Sequence, residues 1–311
     1  MNTQMYKPEG FYAGADGREA FYSQNVLEKA AATGKILEAQ AILCDSDFSL
    51  YVDLGSMKGK IPRSEAVYQP SGEEIKDIAV ITRVGKTVSF KVTGFTVENG
   101  ETVALLSRKE AQRSCLENYL MTLIPGDVVD AKVTHLEPFG AFVDIGCGVI
   151  SLLSIDCISV SRISHPRDRF YPGMQIKAVI KNIDYESGRI YVSHKELLGT
   201  WEENVSKFEI GQTVAGVVRS IEPYGIFVEL TPNLAGLAEY REGVLPGQRA
   251  AVYIKNIIPE KMKVKLVLVD AYSSNTPPDY KMDYFETETH IDRFVYSPGA
   301  CGKTVATDFE K

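Results

Sequence analysis

The sequence predicts an all-β chain of three tandem five-stranded barrels joined by short helices. Two observations predict it: one strand motif occurs three times, and short apolar or alternating runs punctuated by turn residues surround each copy. The middle copy is Phe139-Gly140-Ala141-Phe142-Val143-Asp144-Ile145-Gly146. The last is Tyr224-Gly225-Ile226-Phe227-Val228-Glu229-Leu230-Thr231, and the first is Phe48-Ser49-Leu50-Tyr51-Val52-Asp53-Leu54-Gly55. The second copy follows the first by 91 residues (48 to 139) and the third follows by 85 (139 to 224). Internal repetition of this kind marks tandem structural units.

The flanks repeat as well. Gly34, Gly126 and Gly211 each open a strand upstream of a motif copy, and a helix is expected before each, over 25–32, 109–120 and 195–207. In the middle unit, 128–136, 141–145, 175–183 and 189–193 read as strands, with Tyr185 to Gly188 as the turn of the last hairpin. About five such strands in a unit of roughly 75 residues suit an OB-type barrel. Units of that size are near the lower limit for independent folding, so the helices are expected to cover barrel ends.

The resulting organisation is an N-terminal extension with a helix (1–33), a degenerate first unit (34–108), a linker helix (109–124), the second unit (125–195), a second linker helix (196–209), a shortened third unit (210–270) and a tail (271–311). The third unit is short because 240–245 stands where the middle one has 156–172. The tail, rich in Ser, Thr, Pro and Asp, reads as poorly ordered or draped over the third barrel.

Composition narrows the function classes. The chain has 311 residues, 44% hydrophobic and 24% charged, as in ordinary globular proteins. A net charge of -7 argues against a basic coat for duplex nucleic acid, but single strands also bind by base stacking, and 16 Tyr and 13 Phe supply rings. Residues 1–7 carry no apolar core of a signal peptide, and no run of about 18 apolar residues suggests a membrane span. Five scattered cysteines without a CxxC pair point to buried thiols in a reducing cytoplasm, not to zinc or disulfides. No cofactor, metal site or acid–base constellation is expected.

Alternation assigns faces. Successive strand side chains point to opposite sides. Ala141, Val143 and Ile145 form an apolar row for the core, which leaves Phe142 and Asp144 outward. The same phase leaves Phe227 and Glu229 outward in the third unit, and Tyr51 and Asp53 in the first. A second ring lies three residues earlier, at Phe139, Tyr224 and Phe48; Gly140 and Gly225 would let a turn or bulge bring both rings to one side. Such pairs serve either as a stacking platform for bases or as caps on the barrel end. In the last hairpins Arg189 and Tyr191 point out, as do Lys263 and Lys265, and Lys181 and Lys255 occupy matching places on the preceding strands. Arg162, Arg167 and Arg169 in the long middle loop are either further contacts or solvated charges. His165, before Pro166, reads as a turn-stabilising residue. Gly302-Lys303-Thr304 is not a phosphate loop, because Ser297 stands where the pattern requires Gly.

At these residues the chain resembles the ribosomal protein S1 family, whose repeated unit is an OB-fold RNA-binding module. The resemblance spans roughly 25–270. It is strongest through Pro125-Gly126-Asp127-Val128, 139–146, Ser164-His165-Pro166, Lys181-Asn182-Ile183-Asp184 and Arg189-Ile190-Tyr191-Val192-Ser193. It implies an RNA surface of two aromatics, a His, an Asp and an Arg. Phe139, Phe142, Asp184 and Arg189 match four of these, and the His position falls near Ser151. Asp184 would contact a base or ribose, or else fix the hairpin turn. In the third unit Ile258 and Lys263 stand for the Asp and Arg; in the first, Gly94 and Val103 do. The middle unit is therefore expected to be the strongest binder. The resemblance further implies a non-enzymatic protein that binds single-stranded RNA, mRNA in particular, at the small ribosomal subunit. A regulator or RNA-decay accessory that is not ribosome-bound is the alternative.

Overall fold

The computed structural model describes residues 6–11, 21–69, 74–274 and 282–310. Within them the chain forms three closed five-stranded barrels, as the repeats predict. The first contains β1 (Ile36–Cys44), β2 (Leu50–Asp53), β3 (Lys58–Ile61), β4 (Thr87–Glu98) and β5 (Glu101–Ser107). The second contains β6 (Val128–Glu137), β7 (Gly140–Asp144), β8 (Ile150–Ser154), β9 (Gln175–Asp184) and β10 (Arg189–Ser193). The third contains β11 (Thr213–Glu222), β12 (Gly225–Thr231), β13 (Leu234–Ala238), β14 (Arg249–Ile258) and β15 (Lys263–Tyr272). The four strands predicted in the middle unit form within one residue of their expected ends.

Each barrel is built the same way. The first three strands meander antiparallel, the last two form a hairpin, and the fifth closes the barrel by running parallel to the third. The apolar phase fills the interior: Ala141, Val143 and Ile145 are buried together with Ile176, Ala178, Ile180, Ile190 and Val192. The first core is centred on Leu50, Val52, Leu54 and Phe90, and the third on Ile226, Val228, Val252, Ile254 and Leu266.

Helices occupy the linkers. α1 (Gln24–Thr33) stops at Gly34, whose φ of 65° is the left-handed conformation that ends a helix without a Cβ penalty. In the first barrel the β3–β4 connection adds a short helix, α2 (Asp77–Ile81), which sequence reading did not anticipate. α3 (Arg108–Asn118) begins where the Ser107 hydroxyl accepts a hydrogen bond from the Glu110 N–H. The segment between the second and third barrels differs from the single helix expected over 195–207. A 3-10 turn (Lys195–Leu198) and α4 (Trp201–Val205) are separated at Gly199, at φ 81°. A Cβ there would lie 2.7 Å from the Phe285 ring. α4 is restarted by a capping box between Thr200 and Glu203, and its Trp201 is buried in the third core.

The described part of the tail, 282–310, is packed and is not confined to the third barrel, contrary to expectation. Its β16 (Arg293–Val295) pairs with β17 (Ala306–Asp308). Ile291 and Phe309 bury against Val179 of the second barrel and Leu197 of the linker after it, while Tyr296 enters the third core and donates its hydroxyl to the Asn233 carbonyl at 2.5 Å. Apolar residues spaced along the tail thus tie it to both barrels. Residues 275–281 and 311 of the tail, and 1–5 and 12–20 of the N-terminal extension, lie outside the described residues.

His194 sits beneath this tail, fully buried. Its Nδ1 is 2.9 Å from the Ile158 carbonyl, which can only accept, so Nδ1 carries the proton; Nε2 faces the Tyr284 hydroxyl at 3.3 Å. Burial pushes the imidazole down from 6.5 to about 4. As pH falls through that window the unfolded chain takes up the proton first. His194 therefore contributes stability that is present above 6.5 and lost toward 4, roughly 3 kcal/mol in all. Burial raises Glu38 and Asp144 to about 7, which acts in the opposite sense, so the imidazole itself must be followed. Its NMR resonances are expected to show no titration between about pH 7 and pH 5.

Candidate nucleic-acid interface

Strand register places one continuous row of side chains around the outside of each barrel. In the second barrel the cross-strand neighbours run His135, Phe142, Leu152, Tyr191 and Asn182, on β6, β7, β8, β10 and β9. In the third they are Ser220, Phe227, Leu237, Lys265 and Asn256. In the first they are Leu43, Tyr51, Lys60, Leu105 and Gly94. On the second, third and fifth strands of each barrel the residues on both sides of them are buried, so the rows face away from the interior. Two bulges recur in register. Thr134, Arg219 and Ile42 are the extra residues on the first strand of each barrel, and Lys181, Lys255 and Thr93 on the fourth.

The predicted ring pairs come together in two barrels. Glu137 pairs with Gly140, which leaves Pro138 and Phe139 as the hairpin turn. The Phe139 and Phe142 rings meet edge-to-face, centroids 6.1 Å apart. Tyr224 and Phe227 do the same at 6.2 Å. Glycine follows each turn residue because the backbone approaches its neighbour closely. A Cβ on Gly140 would lie 2.5 Å from the Leu153 carbonyl oxygen, and one on Gly225 2.4 Å from that of Ala238. Gly140→Ala should therefore push β8 away and destabilise the fold by roughly 1–3 kcal/mol, as measured by urea unfolding.

The first barrel uses its rings differently. Its turn is longer, Phe48 adopts φ 57°, and Asp45 Oδ1 accepts the N–H groups of Asp47 and Ser49. The Arg63 guanidinium lies over Phe48 and the Lys60 ammonium over Tyr51, each 5.5 Å from the ring centroid. Both rings already carry a cation from their own barrel, and Lys60 is held by Glu98 at 2.8 Å.

The charged candidates are exposed: Lys181, Arg189, Lys255 and Lys263 all face outward, beside half-buried Tyr191 in the second barrel. Arg189 is the cross-strand neighbour of Asp184. The Asp184 carboxylate accepts the N–H groups of Glu186 and Ser187, and the Ser187 hydroxyl is the main cause that lowers its pKa. Asp184 thus fixes the hairpin turn. Lys181 Nζ lies 3.1 Å from Cys157 Sγ. In the first barrel Gly94 does not stand in the place of Asp184. Counting from the bulge at Thr93, Gly94 matches Asn182, and it is Thr96, paired with Val103, that matches Asp184.

Two acidic residues depart from expectation. Asp144 and Glu229 do lie on the outer side of their strands, yet both are buried by other segments. Asp144 accepts N–H groups from Glu9, Gly146 and Gly148, and burial followed by the Glu9 charge raises its carboxyl to about 7. Glu229 is held by Arg169 and Arg219. Arg169, itself buried, is therefore no surface contact. Ser151 is buried as well, its hydroxyl donating to the Ile190 carbonyl, so it does not face a ligand. His165 stabilises its turn as expected, its Nδ1 accepting from the Arg167 N–H at 3.1 Å.

One ring was missed. His135 lies beside Phe142 with centroids 6.4 Å apart and planes at 27°, 63% exposed, and is hydrogen-bonded to Glu137 at 2.7 Å. Simple alternation from Val133 sends His135 inward; the bulge at Thr134 reverses the phase.

Outward rings and cations on a small closed barrel are an arrangement that single-strand nucleic-acid binding modules use. Residues 122–195 match the family model of the S1 RNA binding domain. The chain is an S1 RNA-binding domain protein with multiple S1-like barrels, distantly related to ribosomal protein bS1. It is 32% identical over 260 residues to small ribosomal subunit protein bS1 of Staphylococcus aureus (strain COL), covering 78% of this chain and 64% of that protein. It is 30% identical over 234 residues to bS1 of Rhizobium meliloti (strain 1021), covering 70% of this chain and 40% of that protein. The chain thus spans just under two thirds of the length of the first of these relatives. Among solved structures, a multidomain protein with nucleic acid binding domains from Streptococcus pneumoniae aligns at 16% identity and a TM-score of 0.25, covering 76% of this chain and 73% of that one.

Proposed function

We propose that this chain binds single-stranded RNA, mRNA in particular, along the outer rows of its barrels, and assists translation at the small ribosomal subunit in the cytoplasm. The observation that carries the reading is the edge-to-face ring pair at the same place in the second and third barrels, each partly exposed on a barrel that also turns lysines or arginines outward. The S1 domain is typically a non-catalytic module. RNA cleavage by the pure protein with a divalent metal would overturn the non-enzymatic reading. No helix of the described residues is long and apolar enough to cross a membrane.

On this reading Phe139, Phe142 and Tyr191 stack bases, while Arg189 and Lys181 meet phosphates. Tyr224, Phe227, Lys255 and Lys263 repeat that arrangement less completely. Phe48 and Tyr51 contribute least, because their own cations cover them. Linking weak surfaces raises overall affinity through effective concentration. Lys263→Ala should reduce the slope of log affinity against log salt by roughly 0.7–1, measured in titrations at several ionic strengths.

The net charge of -7 favours a second reading, an RNA-binding regulator or decay accessory that does not adhere to the polyanionic ribosome. Co-sedimentation at moderate salt separates the two. Recovery with the small subunit supports the first; persistent absence, with RNA binding retained, supports the second.

A further inference from the structure

We propose that the second and third barrels present one composite surface to single-stranded RNA, in which the 159–170 loop of the second barrel borders the aromatic face of the third and Arg167 supplies a phosphate contact there. This rests on the RNA-binding reading above and assigns a role to a loop which that reading leaves unused.

The loop is clamped to the third barrel at several points. The Val160 N–H donates to Asn233 Oδ1 at 2.9 Å, and the Ser161 N–H to the Pro232 carbonyl at 3.2 Å. The Arg169 guanidinium meets the Glu229 carboxylate, and Asp168 Oδ1 lies 3.2 Å from Arg219 Nη1. Arg219 also grips Glu229 through Nε at 2.8 Å and Nη2 at 3.1 Å. Arg169 and Glu229 are buried and Arg219 nearly so, so salt screens this four-residue network far less than a surface pair.

Where the loop docks decides what it borders. Ile226 and Val228 point into the core, so Phe227 and Glu229 share the outer face of β12. They are two residues apart, about 7 Å along the strand. Arg219 is the bulge residue beside Ser220, which is the cross-strand neighbour of Phe227. The loop therefore ends at the margin of the third barrel's row of side chains. A 3-10 turn over Pro166–Asp168 holds it in shape, capped by His165 and Asp168, with the Asp168 carboxylate accepting from the Ser164 N–H at 3.2 Å. Arg167, exposed on that turn, is adjacent in sequence to the Asp168 that binds Arg219. The docked loop thus holds an exposed cation of the second barrel near the margin of the third barrel's outer row.

The test uses the full chain carrying Phe139→Ala and Phe142→Ala, so that a labelled oligouridine of about 6 nucleotides reports the third barrel. Adding Arg167→Ala is expected to weaken this binding about threefold and lower the salt slope by about 0.7, the effect of one lost phosphate contact on a single strand. Arg113→Ala, on α3 and paired with Glu110, serves as the control and should change neither. Equal affinity and slope for Arg167→Ala and the control would overturn the composite surface. So would absence of any binding in the double-ring background while the unsubstituted protein still binds. Failure of the unsubstituted protein to bind single-stranded RNA would instead overturn the functional reading beneath it. Near-ultraviolet circular dichroism from Trp201, buried in the third core, verifies that each variant keeps that barrel folded.

Discussion

Changing Phe139 and Phe142 together to Ala is expected to weaken single-stranded RNA binding by roughly 2–6 kcal/mol, from about 1–3 kcal/mol for each base that loses its ring. The effect is expected on binding and not on folding. Phe139 is 55% exposed on a hairpin turn, and Phe142 lies half-buried on the outer row, its ring meeting those of Phe139 and His135. The β7 core residues Ala141 and Val143 are untouched by the change. An unaltered unfolding midpoint together with lost binding is the expected pair of results. Unchanged binding of a pyrimidine-rich oligonucleotide would remove the stacking account of this barrel.

The second large effect concerns stability. Glu9→Ala should destabilise the fold by roughly 3–5 kcal/mol in urea unfolding, because it strips a buried charge of its partner. Arg108, at the start of α3, is 3% exposed. Its Nε and Nη2 meet the two Glu9 carboxylate oxygens at 2.6 and 3.0 Å, and its Nη1 donates to the Ala66 carbonyl at 3.1 Å. The same carboxylate accepts the Ser89 N–H of the first barrel, while the Glu9 N–H donates to Asp144 of the second. One residue of the N-terminal segment therefore joins two barrels and the linker between them. Removing its charge should also let Asp144 ionise at lower pH, since the Glu9 charge is second only to burial in raising that carboxyl. A change of less than about 1 kcal/mol would mean that the segment is not docked in solution.

The barrels were legible in the sequence because their information is local. Alternation at Ala141, Val143 and Ile145 gives both strand and face, and glycines and turn residues mark the ends. The ring pairs were legible for the same reason, each lying within four residues of chain. The features missed depend on contacts that sequence spacing does not encode. His135 turns outward only because of a bulge. Asp144 and Glu229 read as exposed because alternation reports the side of a strand, not which distant segment covers it: Glu9 lies 135 residues from Asp144, and Arg169 60 from Glu229. The helix over 195–207 breaks at Gly199, where φ is 81° and a Cβ would meet the Phe285 ring of the distant tail.

Crosslinking of an oligouridine to the intact protein, mapped by mass spectrometry, tests the central claim most directly, because it reads the RNA-contacting residues without substituting any of them. The outer rows predict crosslinks at Phe139, Phe142 and Tyr191, then at Tyr224 and Phe227, with little at Phe48 and Tyr51. Crosslinks confined to other surfaces, with these rings unlabelled, would contradict the assignment of the interface.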